Sequence, residues 1–373
     1  MFVNFMNHIN NINFMKRSLF LTACLFFFTL FAIAQSSESI KFTDATTLTL
    51  IGKAKQTPFP YHRLDTVQYK GLSKGENQQA RCPAGLALVF RTNSSRIDLA
   101  VRYKYHPVRY NMTQIASAGF DLYIKKDGKW MYANSTVPGE NKETFTLISH
   151  MDKEDKECLL YLPLYSELES LQVGVDQAAH LVSMPNPFSH KIAVFGSSFT
   201  QGICANRPGM TYPAQLSRNM NIHICNLGFS GNAKMQPYFA SYLADVKVDA
   251  FVFDVFSNPD DKMIRERLIP FIKKIREKQP ETPLIFVQTI YRESTNFNLA
   301  NRDREKKKKA AAEEMMKEAQ EKFTNVYFVH GLELTGTDHE TSTDGTHPSD
   351  MGYYRWANNL GGALKGIFAQ HPL

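Results

Sequence analysis

Lys191-Ile192-Ala193-Val194-Phe195-Gly196-Ser197-Ser198-Phe199-Thr200-Gln201-Gly202 is the stretch on which the fold turns. Ile192 to Phe195 is a short apolar run with β-branched residues, and it stops at a glycine. Such a run reads as a parallel strand buried on both faces. It leads into a Ser/Gly turn, so Ser198 falls at the strand's carboxyl end, where ligands bind in open α/β sheets. Gly196 and Gly202 permit a tight backbone and close approach of a substrate. Taken alone, such a stretch is an ordinary strand-to-helix loop. The segments around it change that reading.

Downstream, the strand pattern recurs in Ile222–Cys225, Asp249–Phe256, Pro283–Gln288 and Val326–Val329. Met263–Lys278, Arg304–Phe323 and Gly352–Phe368 read as helices. Strands alternating with helices predict a parallel sheet covered on both faces, a three-layer α/β/α domain. Polar motifs follow three of the strands: Gly196-Ser197-Ser198-Phe199, then Asn226-Leu227-Gly228-Phe229-Ser230-Gly231-Asn232, then Asn258-Pro259. Asp344-Gly345-Thr346-His347-Pro348 comes late in the chain.

These residue types belong together chemically. A serine hydroxyl is a poor nucleophile at neutral pH unless an imidazole takes its proton. The imidazole needs a carboxylate to hold its tautomer and to stabilise the imidazolium. Asp344 lies three residues before His347, so one loop can deliver both. Acyl transfer also needs donors aimed at the developing oxyanion. The backbone N–H groups of Ser198 and Gly231 and the side-chain amide of Asn258 are the candidates. His330 and His339 lie nearby, but neither has an acid three residues before it, and His223 falls inside a strand. Asp254, Gln201 and Arg292 are further polar residues near the motifs, with no role assigned. Ser198 lacks the second glycine of the Gly-x-Ser-x-Gly elbow, which excludes the α/β-hydrolase pattern.

In this order the four motifs resemble the SGNH (GDSL-like) hydrolase superfamily over roughly residues 188–370. Gly196-Ser197-Ser198-Phe199 matches the nucleophile block, Gly231 the oxyanion glycine, Asn258 the oxyanion asparagine, and Asp344 and His347 the Asp-x-x-His block. Two departures stand out. Ser197 occupies a position where Asp is commoner, and Ser257-Asn258-Pro259 replaces Gly-x-Asn-Asp. Upstream, Gly119-Phe120-Asp121-Leu122-Tyr123 resembles the Gly-x-Asp-Leu-Tyr signature of the β-rich domain that precedes some bacterial SGNH esterases. Tyr61-His62-Arg63-Leu64 and Tyr161-Leu162-Pro163-Leu164-Tyr165 are similar to other parts of it.

Residues 38–180 read as all-β. Leu86–Arg91 and Arg96–Tyr103 flank Thr92-Asn93-Ser94-Ser95, which reads as a hairpin turn. Ile97, Leu99, Val101 and Tyr103 alternate with the period of a half-buried strand. Phe120–Lys125, Thr144–Ile148, Cys158–Leu162 and Leu171–Val175 continue the series, as in a β-sandwich of jelly-roll type. Ser183-Met184-Pro185-Asn186-Pro187 is the expected linker. The expected organisation is therefore a signal peptide at 1–34, a β-sandwich domain at 35–185 and a hydrolase domain at 186–373.

Met15-Lys16-Arg17, the apolar run Leu19–Ile33 and Ala32-Ile33-Ala34 form a secretory leader with cleavage expected after Ala34. An uncleaved anchor and lipidation at Cys24 are the alternatives. Cleavage removes Lys16 and Arg17 and no acid, lowering the formal charge from +7 to +5. That mild excess gives no reason to expect a nucleic-acid partner. The run Lys306–Lys309 reads as the solvated face of a helix and lacks interleaved aromatics. Export permits disulfides. Cys82–Cys158 and Cys204–Cys225 would each stay within one domain, and four free thiols are the alternative. No Cys-x-x-Cys or His cluster points to a metal, and no cofactor is expected.

The resemblance implies an ester substrate. An exported esterase with a β-sandwich partner points to an acylated oligosaccharide or polysaccharide, most simply an acetylated one. The expected protein is periplasmic or secreted, with no stable membrane association after cleavage. A lysophospholipase or thioesterase is the second enzymatic reading, and a non-catalytic glycan-binding protein the third.

Overall fold

A computed structural model of the chain describes residues 39–140 and 142–371; the expected leader, with Cys24 and Ala34, lies outside them. Among the described residues no helix is long and apolar enough to cross a membrane.

As far as Ser183 the elements are mostly strands. In chain order they are β1 (Ile40–Asp44), β2 (Thr49–Ile51), β3 (Ala87–Thr92), β4 (Ile97–Tyr105), β5 (Phe120–Lys126), β6 (Lys129–Thr136), β7 (Thr144–Ile148), β8 (Lys156–Tyr161), β9 (Glu167–Asp176) and β10 (Leu181–Ser183). In one sheet β4 runs antiparallel between β7 and β9. The other has the order β10-β3-β8-β5-β6, with β2 also along β3. Ile97, Leu99 and Val101 of β4 face Leu88, Phe90, Leu122 and Leu160 of the second sheet across a shared core. That is the sandwich expected from the alternating pattern.

Two expectations for this half need correction. Thr92–Ser95 is not a hairpin turn, because β3 and β4 belong to different sheets. Ser94 Oγ, Ser95 N–H and Ser95 Oγ all donate to Asp176 Oδ2 at the end of β9, at 2.7–2.9 Å, so the turn carries the chain across the sandwich. Nor is the region purely β, since it holds helices α1 (Lys74–Arg81) and α2 (Gln114–Ala118). Ser73 and Glu76 start α1 with a reciprocal capping box.

From Ser189 strand and helix alternate: β11 (Ser189–Gly196), α3 (Ser198–Gln201), α4 (Tyr212–Met220), β12 (Ile222–Gly228), α5 (Pro237–Ala244), β13 (Ala250–Asp254), α6 (Asp261–Arg276), β14 (Leu284–Val287), α7 (Leu299–Lys322), β15 (Val326–Val329) and α8 (Asp350–Gln370). The five strands pair in parallel in the order β12-β11-β13-β14-β15. Alternate residues explain the two helical layers. Ala193 and Phe195 face α5, α6 and α7 through Phe239, Phe271 and Met316. Ile192 and Val194 face α4 and α8 through Leu216, Trp356 and Leu360. The strand order reverses at β11, so the turn bearing Ser198 sits where such sheets open a crevice.

From Phe42 onward the chain is one compact unit. Ala54, Leu64 and Ala80 join the core beside α5. The Arg63 side chain is buried and ends on four carbonyls: Gln79 (2.7 Å), Cys82 (2.7 Å), Asn226 (3.1 Å) and Gly228 (2.9 Å). Cys82, Cys158, Cys204 and Cys225 are all free and buried, so neither disulfide forms. Burial pushes the thiols of Cys82, Cys158 and Cys225 up to about 12.

Candidate active site

The turn after β11 is held from below. Ser197 Oγ accepts from Phe199 N–H at 3.1 Å and donates to Asp254 Oδ2 at 2.6 Å. Asp254 closes β13, is buried, and also accepts from Ser197 N–H, Thr200 Oγ1 and Ser257 Oγ at 2.9–3.1 Å. Burial raises the Asp254 pKa, and these hydrogen bonds pull it part of the way back. A Cβ on Gly196 would lie 2.7 Å from Asp254 Cβ and 2.2 Å from Thr200 Oγ1. The glycine therefore serves the close packing of β11 on Asp254, not the substrate approach expected of it. Gly202 ends α3 with φ 100°, a left-handed conformation that costs glycine little.

Ser198 Oγ lies 3.0 Å from His347 Nε2, and His347 Nδ1 lies 2.8 Å from Asp344 Oδ2. A carboxylate only accepts, so the neutral imidazole carries its proton on Nδ1. Nε2 then offers a lone pair to the serine hydroxyl. Asp344 Oδ1 accepts from the N–H groups of Thr346 (3.0 Å) and His347 (2.8 Å) and shapes the loop. Its Oδ2 also accepts from Asn111 Nδ2 at 2.9 Å. Asn111 comes from the β-rich half, and no sequence motif marks it.

Burial lowers the His347 pKa, Asp344 raises it and Arg292 lowers it, and the net shift is downward. The ring is therefore unprotonated near neutrality, as a general base must be. Burial alone would raise Asp344, but hydrogen bonds from Asn111 and His347 outweigh it and hold the carboxyl well below the usual range. Cys204, Asp344 and His347 place three metal-ligand side chains within 4.8 Å of one another. Burial, then the Asp344 charge, pushes the Cys204 thiol up to about 12, so it remains a weak donor to Asp344.

Two more donors border the same opening. Asn258 Oδ1 accepts from Ala233 N–H at 3.2 Å, which turns the Asn258 NH₂ group the other way. Gly231 stands at the rim with φ 74°. Gln79 holds its neighbours, donating to Ser230 O at 2.8 Å and accepting from Asn232 Nδ2 at 3.2 Å. Ser198, Gly231, Asn258 and His347 line one cavity of about 590 Å³.

Residues 189–365 match the GDSL-like Lipase/Acylhydrolase family, and residues 40–181 match the GxDLY family, the N-terminus of SGNH-hydrolase-type esterases. A Bacteroides ovatus protein of the GDSL-like lipase type is 42% identical, with 89% of this chain and 98% of that one aligned at a TM-score of 0.86. The chain belongs to the SGNH/GDSL-like hydrolases. It has the Ser-His-Asp arrangement and the fold of a carboxylic ester hydrolase. Two more distant structures share the fold. The salicylyl-acyltransferase SsfX3 is 20% identical (TM-score 0.68; 88% and 98% of the chains). A Clostridium thermocellum family two carbohydrate esterase is 15% identical (0.56; 76% and 92%). No curated protein matches the chain.

Other polar residues of this hydrolase fall into place around that frame. Gln201 is buried, accepting from Ser230 N–H at 3.0 Å and donating to Leu164 O at 3.3 Å; it braces the turn. Arg292 does line the cavity, tied to Ser257 O (2.9 Å) and Glu305 (3.1 Å). Among the histidines, His223 accepts from Gly52 N–H and His339 pairs with Glu293, both away from the cavity. The lysine run is not simply solvated. Lys306 and Lys307 are exposed, but Lys308 is buried, hydrogen-bonded to Ser257 O at 2.8 Å, and lines the cavity.

The Gly-x-Asp-Leu-Tyr signature is an internal contact. Asp121 is fully buried and takes Arg207 Nη1 at 2.8 Å and Gly209 N–H at 2.8 Å. Tyr123 Oη lies 2.6 Å from the same Nη1. Asp121 and Tyr123 thus clamp the loop ahead of α4.

Proposed function

We propose that this chain is an exported serine esterase that removes short acyl groups, acetyl above all, from O-acylated carbohydrate. The observation that carries the reading is the line from Ser198 through His347 to Asp344, opening onto a cavity bordered by Gly231 and Asn258. In the proposed mechanism His347 Nε2 takes the Ser198 proton as Oγ attacks the ester carbonyl. The N–H groups of Ser198 and Gly231 and the Asn258 amide hold the oxyanion. His347 then gives its proton to the leaving sugar hydroxyl. It next takes a proton from water, which attacks the acyl-serine, and returns that proton to Ser198 as the acid departs. Asp344 stays ionised and stabilises the imidazolium.

The carbohydrate reading rests on the character of the cavity and on relatives. Hydroxyl, amide and cationic side chains such as Ser230, Asn258 and Lys234 line the cavity beside Ser198, and these groups can hydrogen-bond a sugar. Tyr110 stands at the rim, 96% exposed, and offers an aromatic face to a sugar ring. Among proteins of the same fold, a carbohydrate esterase from Clostridium thermocellum was solved with cellohexaose. The leader expected at 1–34 supports export to the periplasm or beyond. A boundary between 185 and 186 is the proposed division into β-sandwich and hydrolase domains.

Hydrolysis of p-nitrophenyl acetate, butyrate and octanoate, with acetate release from acetylated xylan and pectin, tests this reading. The expected result is acetate preference, polysaccharide deacetylation and loss of both in Ser198→Ala. Equal activity in the variant would remove Ser198 from the mechanism.

A further inference from the structure

The cavity beside Ser198 is lined by five cations, Arg109, Lys234, Arg292, Arg304 and Lys308, and a single carboxylate, Asp260. They come from separate parts of the chain: the loop after β4, the loop after β12, the segment after β14, and α7. Arg292 and Lys308 are tied to Glu305, at 3.1 Å and 3.2 Å. Arg304 reaches the same carboxylate only at 3.8 Å, and its side chain is 60% exposed. One glutamate thus faces three cations. Arg109 and Lys234 have no carboxylate partner among the described residues. The Arg109 guanidinium lies 4.2 Å over the Tyr165 ring, and its Nε is buried with no hydrogen-bond partner. Like charges gathered in one concave wall repel and focus a positive potential into it. A neutral sugar relieves none of that repulsion, whereas an anion relieves it at once.

Resting on the esterase reading above, we infer that the natural substrate is an acylated acidic saccharide, in which the carboxylate of a uronic acid unit near the acylated hydroxyl sits among Arg109, Lys234 and Arg304. Carboxylate and guanidinium match as paired acceptors and donors. The adjoining Tyr110 ring supplies the apolar face that a charged sugar still presents.

The experiment compares kcat/KM of the purified protein on O-acetylated oligogalacturonate, O-acetylated neutral xylo-oligosaccharide and O-acetylated sulfated oligosaccharide, with p-nitrophenyl acetate as an uncharged reference. The acidic-to-neutral ratio is expected to reach about tenfold, the scale of one charge-assisted hydrogen bond. It should fall toward one in Lys234→Gln, Arg304→Gln and Arg109→Gln, survive in Lys234→Arg, and shrink as salt is raised. Lys307→Gln, on the exposed part of α7, should leave it unchanged. A wild-type ratio of one or less, with p-nitrophenyl acetate still cleaved, would overturn this inference and spare the esterase reading. A ratio unmoved in all three glutamine variants would overturn it too, as would a preference confined to the sulfated substrate. Loss of p-nitrophenyl acetate hydrolysis in the wild type would instead remove the esterase reading itself.

Discussion

Asp344 divides its two oxygens between tasks. One caps its own loop; the other meets His347 and Asn111. Asn111 stabilises the carboxylate through its side-chain hydrogen bond. In Asn111→Leu the Asp344 carboxylate loses a hydrogen bond that offsets its charge, which should favour the imidazolium, so the acid limb of kcat/KM should move to higher pH. kcat should fall about tenfold, the cost of roughly one hydrogen bond to a charged group. A purely structural effect would lower activity without moving the limb. In the wild type the His347 pKa is lowered, and the neutral ring is the active form. Activity should therefore rise with pH through a midpoint below the ordinary histidine value of 6.5 and stay level above it. Asn258→Ala removes a neutral donor at the proposed oxyanion site, so kcat should drop on the order of a hundredfold with little change in KM.

At the scale of elements, connections outweigh the strands they join. Asp121 ends its side chain on Arg207 and on the backbone of the loop before α4. Asp121→Ala strands a cation that is only 21% exposed at its side chain and leaves the Gly209 N–H unmet. The variant should lose about 3 kcal/mol, read as a lower midpoint in urea. Element identity was largely legible in the sequence. Ile192–Phe195 of β11, Ala250–Phe253 of β13 and Leu284–Val287 of β14 read as continuous apolar runs because helices cover both sides. Helix α1 lies in a polar stretch with no apolar period to mark it, although Ser73-Lys74-Gly75-Glu76 holds a capping-box pattern. The Thr92–Ser95 turn is ambiguous in sequence for a different reason. A short polar turn between alternating runs looks alike whether the chain folds back in one sheet or crosses to the other, and only the acceptor at Asp176 decides.

The two proposed domains share buried side chains. Leu64 and Ala80 lie in the core beside the parallel sheet, and Arg63 closes the carbonyls that end β12. Residues 186–373 expressed alone would expose that core and lose Asn111 from Asp344. The fragment should be aggregation-prone or lack a cooperative thermal transition, and it should show no esterase activity; calorimetry with a p-nitrophenyl acetate assay checks both. A stable, active fragment would mean that the β-rich half is dispensable.

The order of amino acids already encodes the layer architecture, because burial on one face or two writes itself into hydrophobic period. It also determined the order of the polar motifs along the chain, since a serine, a glycine, an asparagine and an Asp-x-x-His pair each follow a recognisable strand or loop. Tertiary structure alone decided what those motifs meet. Asn111 reaches Asp344 across 233 residues of chain, Arg63 reaches Gly228 across 165, and Lys308 leaves a solvated run to line the cavity. Local pattern reports which face of an element is apolar. It carries no record of which distant polar group satisfies a buried donor or acceptor, and the cavity beside Ser198 is built from such distant pairings.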